Sequence, residues 1–146
     1  MSAYSYINPA MNRLLRSPWH RMMSKRIMSV SYRGRKSGTD FCTPVSYYRD
    51  GDTVYCFTNG HWRYNFTAGQ PATLRIQGND YIASGKIYSG DRQHQLTTMA
   101  AYFKAVPQDK KFYGVKCDKA GEPLAEDIER ASGIVDMICF ELQEKR

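Results

Sequence analysis

The segment Tyr32–Gly38 reads YRGRKSG, and Thr43–Val45, which reads TPV, follows it closely. Two apolar, β-prone runs, Ile27–Tyr32 and Phe41–Tyr48, flank the basic part of this stretch. Because glycine adopts backbone angles that are closed to other residues, the two glycines of the segment let the chain curl. We therefore predict two strands that are joined by a tight, cation-bearing loop.

The side chains of this loop suit a bound anion. Arg35 and Lys36 supply two cations, and Ser37 supplies a hydroxyl beside them. Cations and backbone amides that converge on one point bind phosphate or carboxylate groups. A solvated basic turn is the alternative interpretation, because short lysine- and arginine-rich runs are common.

Composition restricts the class of protein. The 146 residues are 42% hydrophobic and 13% aromatic, which predicts one globular domain over residues 1–146. The net charge of +7 favours an anionic partner such as a phosphorylated cofactor, nucleic acid or an acidic membrane surface. The four cysteines form no C-x-x-C pair and the three histidines are scattered, so we expect no metal site. The absence of a signal peptide and of a long apolar run leads us to expect a cytoplasmic protein.

Residues 9–26, approximately, are predicted to form an amphipathic helix. Asn8 and Pro9 give a helix start, and Leu14, Leu15 and Trp19 continue an apolar stripe among basic residues. A helix that lies across a sheet or barrel is the ordinary interpretation. Weak peripheral contact with the inner face of the membrane is the alternative.

The rest of the chain reads as hairpins separated by short helices. We predict six strands, over Ile27–Tyr32, Phe41–Tyr48, Thr53–Thr58, Ala72–Gln77, Asp80–Tyr88 and Ile134–Leu142. Helices are predicted over Trp62–Phe66, over Asp91–Lys104 and within Lys119–Ser132. Because βαβ alternation is missing, we predict a mainly β fold with flanking helices (α+β). The six strands are predicted to form an antiparallel barrel. Pro44 marks a bulge, an edge or a ligand-facing position in the second strand.

Three motifs together resemble the flavin and deazaflavin oxidoreductases with a split β-barrel, FMN-binding-barrel-like fold. Within them the chain is similar to the deazaflavin-dependent nitroreductase branch. The motifs are Gly34–Gly38 leading to Thr43–Val45, Asp50–Asp52 with the strand after it, and Trp62-x-x-Asn65-Phe66. The resemblance covers roughly residues 10–90 well and the rest in outline.

The resemblance implies coenzyme F-420, an 8-hydroxy-5-deazaflavin, as the cofactor. In that family the basic loop holds the phosphate side chain, the strand after it walls the flat ring, and the Trp-x-x-Asn pair lines the same pocket. The cofactor-binding residues so implied are Arg35, Lys36, Ser37, Pro44, Val45, Trp62 and Asn65.

The chain departs from the family pattern beside the loop. Many members have an arginine three residues after the second loop glycine, where this chain has Phe41, and the neighbouring Asp40 would repel an anionic tail. FMN is therefore the alternative cofactor. The family's substrate-side tyrosines fall in the part that matches only in outline, where Tyr102 and Tyr113 are the catalytic candidates.

The implied function is a reductase that passes hydride from the reduced cofactor to a small, electron-poor organic substrate. The alternative is a non-catalytic barrel that binds flavin, haem, or a lipid or fatty acid. Family barrels often pair across the cofactor site, so a homodimer is an expectation. Binding of single-stranded nucleic acid ranks third. It would use the aromatic and basic residues Tyr32, Tyr47, Tyr48, Tyr64, Arg33, Arg35 and Arg63.

Overall fold

The structure is a computed structural model that describes residues 26–146. Its strands are β1 (Ile27–Arg33), β2 (Asp40–Ser46), β3 (Tyr48–Asp50), β4 (Thr53–Thr58), β5 (Gln70–Ile76), β6 (Asn79–Ile87) and β7 (Asp136–Lys145). Its α-helices are α1 (Arg92–Ala105), α2 (Lys110–Tyr113) and α3 (Ala125–Ser132), with 3-10 helices over His61–Phe66 and Pro107–Asp109. The amphipathic helix predicted over about 9–26 lies, but for its last residue, outside the described residues.

All seven strands belong to one antiparallel sheet, in the order β2-β1-β5-β6-β7-β4-β3. The predicted mainly β antiparallel fold with flanking helices is confirmed, but the predicted number of six strands is wrong. The predicted strand Phe41–Tyr48 is divided at Tyr47. The Tyr47 amide makes the last hydrogen bond toward the β1 side, to the Arg26 carbonyl at 3.1 Å, and from Tyr48 onward the chain pairs with β4 instead.

The sheet curls on itself because its two edge strands are neighbours along the chain. Tyr47 alone separates β2 from β3, and one residue spans at most about 3.5 Å. The two edges of the sheet must therefore approach each other at this residue. Of the three positions predicted for Pro44, the edge is confirmed, since within residues 26–146 β2 borders only β1, and an edge strand tolerates a residue that lacks an N–H.

Alternation of side chains divides the hydrophobic core in two. On β7, Ile138 and Phe140 pack inside the curled sheet, whereas Met137 and Cys139 pack on its outer face. Successive residues of a strand point to opposite faces, so one strand contributes to both cores. The outer core is closed by side chains of α1 and α3, namely Met99, Tyr102, Phe103, Ile128 and Ala131.

Gly85 of β6 lies against aromatic rings inside the curled sheet. A Cβ atom at this position would lie 2.5 Å from Cε1 of Phe140 and 2.8 Å from Cδ1 of Phe66. Both phenylalanines are completely buried, so neither ring has free space to move into. The absence of a side chain at Gly85 therefore allows the two rings to pack on the sheet.

We expect Gly85→Ala to lower the free energy of unfolding by about 1–3 kcal/mol, because it overpacks this core. Gly133→Ala is the matched control, since its Cβ would meet only the Arg130 carbonyl oxygen at 3.4 Å, and we expect a change below about 0.5 kcal/mol. Urea denaturation measures both variants. Equal stability of the two variants would contradict the packing at Gly85.

Asp127 joins α3 to the segment before it. Its carboxylate accepts hydrogen bonds from the Lys116 amide at 2.9 Å and the Arg130 guanidinium at 2.8 Å, and its side chain is only 9% exposed. The Lys116 hydrogen bond first, and then Arg130, hold the pKa of Asp127 below its ordinary value. A carboxyl with a lowered pKa in the folded state stabilises the protein above its unfolded pKa, and this stability is lost as the pH falls through the folded pKa.

We expect Asp127→Asn to be less stable than the wild type at neutral pH. The difference should shrink as the pH falls below about 4, where protonation removes the same contribution from the wild type. Urea denaturation at several pH values between about 7 and about 2 measures this difference. A difference that stays constant over this range would show that Asp127 does not act through its charge.

Candidate functional site

The basic loop, residues 34–39, is a tight turn between β1 and β2. The Gly34 amide donates to the Thr39 carbonyl at 2.7 Å, and the Gly38 amide donates to the Gly34 carbonyl at 3.0 Å. Gly38 has φ of 69°, in the left-handed region that favours glycine. Gly34 is needed for space instead, because a Cβ there would lie 2.6 Å from the Phe41 ring. The predicted hairpin is confirmed, with a different reason for each glycine.

Asn65 connects the basic loop to the 3-10 helix His61–Phe66. Its Oδ1 accepts a hydrogen bond from the Arg35 amide at 2.8 Å, and its Nδ2 donates to the Trp62 carbonyl at 2.9 Å. Gln70 braces the loop from a second side, since its Nε2 donates to the Arg33 carbonyl at 2.5 Å. Two motifs that lie 30 positions apart in the sequence thus meet at one end of the sheet.

The anion-binding capacity of the loop lies in its side chains. Arg35 and Lys36 are exposed, and neither forms an ion pair within residues 26–146. Most of the loop amides and the hydroxyl that were expected to converge on an anion already form hydrogen bonds within the chain. The Ser37 hydroxyl accepts the Thr39 amide at 3.2 Å, and the amides of Gly34 and Arg35 also donate to protein acceptors.

The two residues that depart from the family pattern have structural partners. Phe41 is half-buried and stacks on Tyr32, with 5.7 Å between ring centroids. Asp40 accepts from the Arg33 guanidinium at 3.5 Å, with both side chains largely exposed. Such a surface pair adds little stability, but it places a compensating cation beside the Asp40 carboxylate.

The implied ring-binding residues occupy three different environments. Trp62 is 6% exposed and belongs to the interior core, where it stacks on Tyr32 at 6.0 Å between ring centroids. Val45 packs against the same core. Pro44, the preceding residue of β2, points to the opposite face because strand side chains alternate. The roles implied for these residues in a cofactor pocket remain predictions.

Tyr102 and Tyr113 belong to the outer core, beneath the helices. The Tyr102 hydroxyl donates to the Asp109 carboxylate, and the side chain is almost completely buried. Burial first, and then the hydrogen bond with Asp109, raise the pKa of Tyr102, whereas burial first and then the negative charge of Asp109 raise the pKa of Tyr113. Both hydroxyls are therefore protonated at neutral pH, and a catalytic role for either remains a prediction.

The residues invoked for nucleic-acid binding do not share one exposed surface. Tyr32 and Tyr47 are 6% and 5% exposed. The Arg63 guanidinium is engaged by Asp136 at 2.8 Å and by the Asn59 carbonyl at 2.6 Å. Stacking of bases requires accessible ring faces, so this geometry weakens the hypothesis.

One cavity was missed by sequence reasoning. It has a volume of about 320 Å³ and lies where the residues after β2 meet the β5–β6 hairpin. The basic loop is at the other end of β1, six residue steps or about 20 Å away. The sequence signal for this cavity was the run of consecutive residues Tyr47, Tyr48 and Arg49. The other lining residues come from elements that are distant in the sequence, so the run alone did not predict a cavity. The lining residues are Tyr47, Tyr48, Arg49, Ile76, Gln77, Asn79, Tyr81 and Ala105.

Other kinds of site were sought in the part of the chain that the structure describes. Over residues 26–146, no group of three or more histidine, cysteine or acidic side chains could hold a metal ion. No helix in this range is long and apolar enough to cross a membrane. The four cysteines are all free thiols.

Comparison with known proteins shows the fold alone. No family model and no curated protein sequence matches the chain. A solved chain described as a domain-swapped dimer has a TM-score of 0.55 at 12% identity, over 96% of this chain and 100% of that chain. Campylobacter jejuni ChuZ has a TM-score of 0.52 at 10% identity, over 100% of this chain and 56% of that chain. The FAD and haem binding protein from Mycobacterium smegmatis has a TM-score of 0.51 at 10% identity, over 88% of this chain and 67% of that chain.

We expect Asn65→Ala to release the basic loop. Loss of both amide contacts should lower the free energy of unfolding by about 0.5–1.5 kcal/mol and speed hydrogen exchange at the Arg35 amide. Thr67→Ala is the control, because the Thr67 hydroxyl donates to the Tyr64 carbonyl at 2.9 Å and has no bond to the loop. Amide exchange followed by NMR measures both variants. The same Arg35 exchange rate in both would contradict the bracing role of Asn65.

Proposed function

We propose that this chain is a flavin- or deazaflavin-dependent oxidoreductase, with coenzyme F-420 as the first candidate cofactor and FMN as the second. The proposal rests on one observation, the meeting of the basic loop with the Trp-x-x-Asn motif through Asn65. The fold that the chain shares with a protein that binds FAD and haem supports a flavin-type ligand. The resemblance of the loop and of Trp62-x-x-Asn65 to the deazaflavin oxidoreductases favours F-420 within that class.

The loop residues fit the anionic tail of such a cofactor. Arg35 offers a planar guanidinium and Lys36 a compact ammonium, which suit phosphate oxygens in complementary ways. Asn65, which accepts a hydrogen bond from the Arg35 amide, and Gln70, which donates one to the Arg33 carbonyl, hold the loop in place before any ligand arrives. A braced loop loses little conformational freedom on binding, so more of the electrostatic attraction contributes to affinity.

The ring of the cofactor is assigned to a surface outside the interior core. That core is filled by side chains that include Tyr32, Trp62 and Phe66. Pro44 lies on the outward face of the edge strand β2 and provides a rigid apolar contact there. In this arrangement Trp62 supports the wall from within, through its contacts with Tyr32 and Phe66.

The proposed chemistry divides between the cofactor and the chain. If bound, reduced F-420 would supply the hydride chemistry needed to reduce a small, electron-poor organic substrate. Arg35 and Lys36 hold the anionic tail, and Asn65 keeps their loop in a fixed position relative to the sheet. Tyr113 is the candidate proton donor to the substrate, because it is protonated at neutral pH and more exposed than Tyr102.

We expect F-420 to bind to the chain with a change in the absorbance and fluorescence of the cofactor. Arg35→Ala and Lys36→Ala should each weaken this binding about tenfold, or by about 1.4 kcal/mol. Lys86→Ala is the matched control, because Lys86 is an exposed lysine of β6 outside the loop. Titrations with F-420 and with FMN identify the preferred cofactor. If neither cofactor binds at tens of micromolar, or if Lys86→Ala weakens binding as much as Lys36→Ala, the proposal is wrong.

A non-catalytic binder on the same fold is the second candidate, with flavin, haem or a fatty acid as its ligand. The favouring observation is that both tyrosines considered for proton transfer lie in the outer core, with Tyr102 almost completely buried. Native mass spectrometry of the purified protein identifies any bound haem or fatty acid. Oxidation of bound reduced F-420 by nitroaromatic or quinone substrates supports the reductase. A tight complex without turnover supports the binder.

We also propose that the protein is a homodimer. The support is a similar solved chain that is described as a domain-swapped dimer. Light scattering after size-exclusion chromatography measures the molar mass. A mass near the 16.8 kDa of one chain would contradict the dimer.

A further inference from the structure

The cavity at the far end of the sheet, called the chamber below, is lined by tyrosines and Arg49 in the part of the chain that the structure describes. Tyr47, Tyr48 and Tyr81 are among its lining residues, and Arg49 is the charged residue among those that the structure describes. Its volume of about 320 Å³ is within the range of small-molecule pockets. It lies about 20 Å from the basic loop along β1, so it is separate from the proposed cofactor-tail site.

Arg49 is held in position by protein contacts that leave its charge unmatched. Its Nε donates to the Gly51 carbonyl at 2.9 Å and its Nη1 to the Tyr81 hydroxyl at 3.4 Å. The guanidinium carbon lies 5.0 Å from the centroid of the Tyr81 ring. Within residues 26–146 no carboxylate forms an ion pair with Arg49. A positioned guanidinium of this kind binds a carboxylate in a fork geometry.

The nearest acid of the adjoining hairpin is already neutralised. Asp80 accepts two hydrogen bonds from Arg75, at 2.8 and 2.9 Å. Its negative charge is therefore matched on the outer side of the hairpin and does not cancel the charge of Arg49. The chamber thus combines tyrosine and amide side chains with a guanidinium that has no ion-pair partner within residues 26–146.

The turn beside the chamber is strained. Gln77 and Gly78 connect β5 to β6, with φ of 50° and 80°, the pattern of a type I′ hairpin turn. A left-handed conformation is unfavourable for glutamine, and the turn was expected one residue later, at Gly78 and Asn79. The Gln77 side chain forms a hydrogen bond with Tyr47, which ties the strained turn to the aromatic wall. Strained residues that are held by their surroundings cluster at ligand sites.

We propose that this chamber binds a small, planar aromatic carboxylate. The carboxylate group pairs with Arg49, and the ring packs against the half-buried side chains of Tyr48 and Tyr81, where edge contacts are favourable. A neutral aromatic compound would leave Arg49 unmatched, and a ligand with several phosphates would need more cations than the chamber offers.

The test uses the full chain with two probes of the same shape, 2-naphthoate and the neutral 2-naphthamide, in isothermal titration calorimetry. We expect saturable binding of 2-naphthoate and at least tenfold weaker binding of 2-naphthamide. Arg49→Met should weaken 2-naphthoate at least tenfold and leave 2-naphthamide unchanged, because it removes the charge and keeps the apolar stem. Tyr81→Leu should weaken both probes, because it removes part of the wall.

Two control variants make the result specific. Arg92→Met removes an exposed arginine at the start of α1 and should leave both probes unaffected. Lys36→Ala should also leave 2-naphthoate binding unchanged, so the outcome is independent of the proposed cofactor site. The proposal is overturned by equal affinity for the two probes, by the absence of saturable 2-naphthoate binding, or by equal losses in Arg49→Met and Arg92→Met. Circular dichroism confirms that each variant is folded.

Discussion

Tyr47 alone separates β2 from β3, although these strands form the two edges of a seven-stranded sheet. The covalent chain is too short there to let the edges lie apart, so every other strand must follow a curved path between them. This curvature produces an enclosed inner face and a convex outer face. The inner face is filled by side chains, and the outer face of β4 and β7 is covered by α1 and α3.

The curled sheet presents two different ends to a ligand. At one end the basic loop carries Arg35 and Lys36 and is braced by Asn65. At the other end the residues after β2 and the β5–β6 hairpin enclose a tyrosine-lined cavity with Arg49. The basic loop is a turn held by a packed core, which is a usual location of binding residues, whereas Arg49 and Tyr81 of the cavity lie in strands. The same β1–β2 pair leads to both ends, so one rigid element sets the distance between them.

Local patterns in the sequence determined the elements and several of their ends. The predicted strand Thr53–Thr58 is identical to β4, because a continuous run of apolar, β-prone residues forms its centre and turn residues flank it. Asp91 was predicted to begin a helix, and its carboxylate accepts the His94 amide at the start of α1. The glycine-bounded basic loop was predicted as a hairpin from residues 34–38 and the β-prone runs on either side of them. These features depend on contacts between residues that are close in sequence, so the sequence contains most of the information they need.

Only the tertiary structure decided which strands pair and which side chains meet. The run Phe41–Tyr48 is continuously β-prone, and its division at Tyr47 follows from a change of partner strand that no local pattern encodes. The contact of Asn65 with Arg35 spans 30 positions, and the placement of Trp62 in the interior core depends on rings from other elements. The sequence by itself therefore determined a β-rich chain with a cation-bearing hairpin. The fold decided which residues contact that hairpin, because the pairing of strands that are distant in the sequence sets the orientation of each strand.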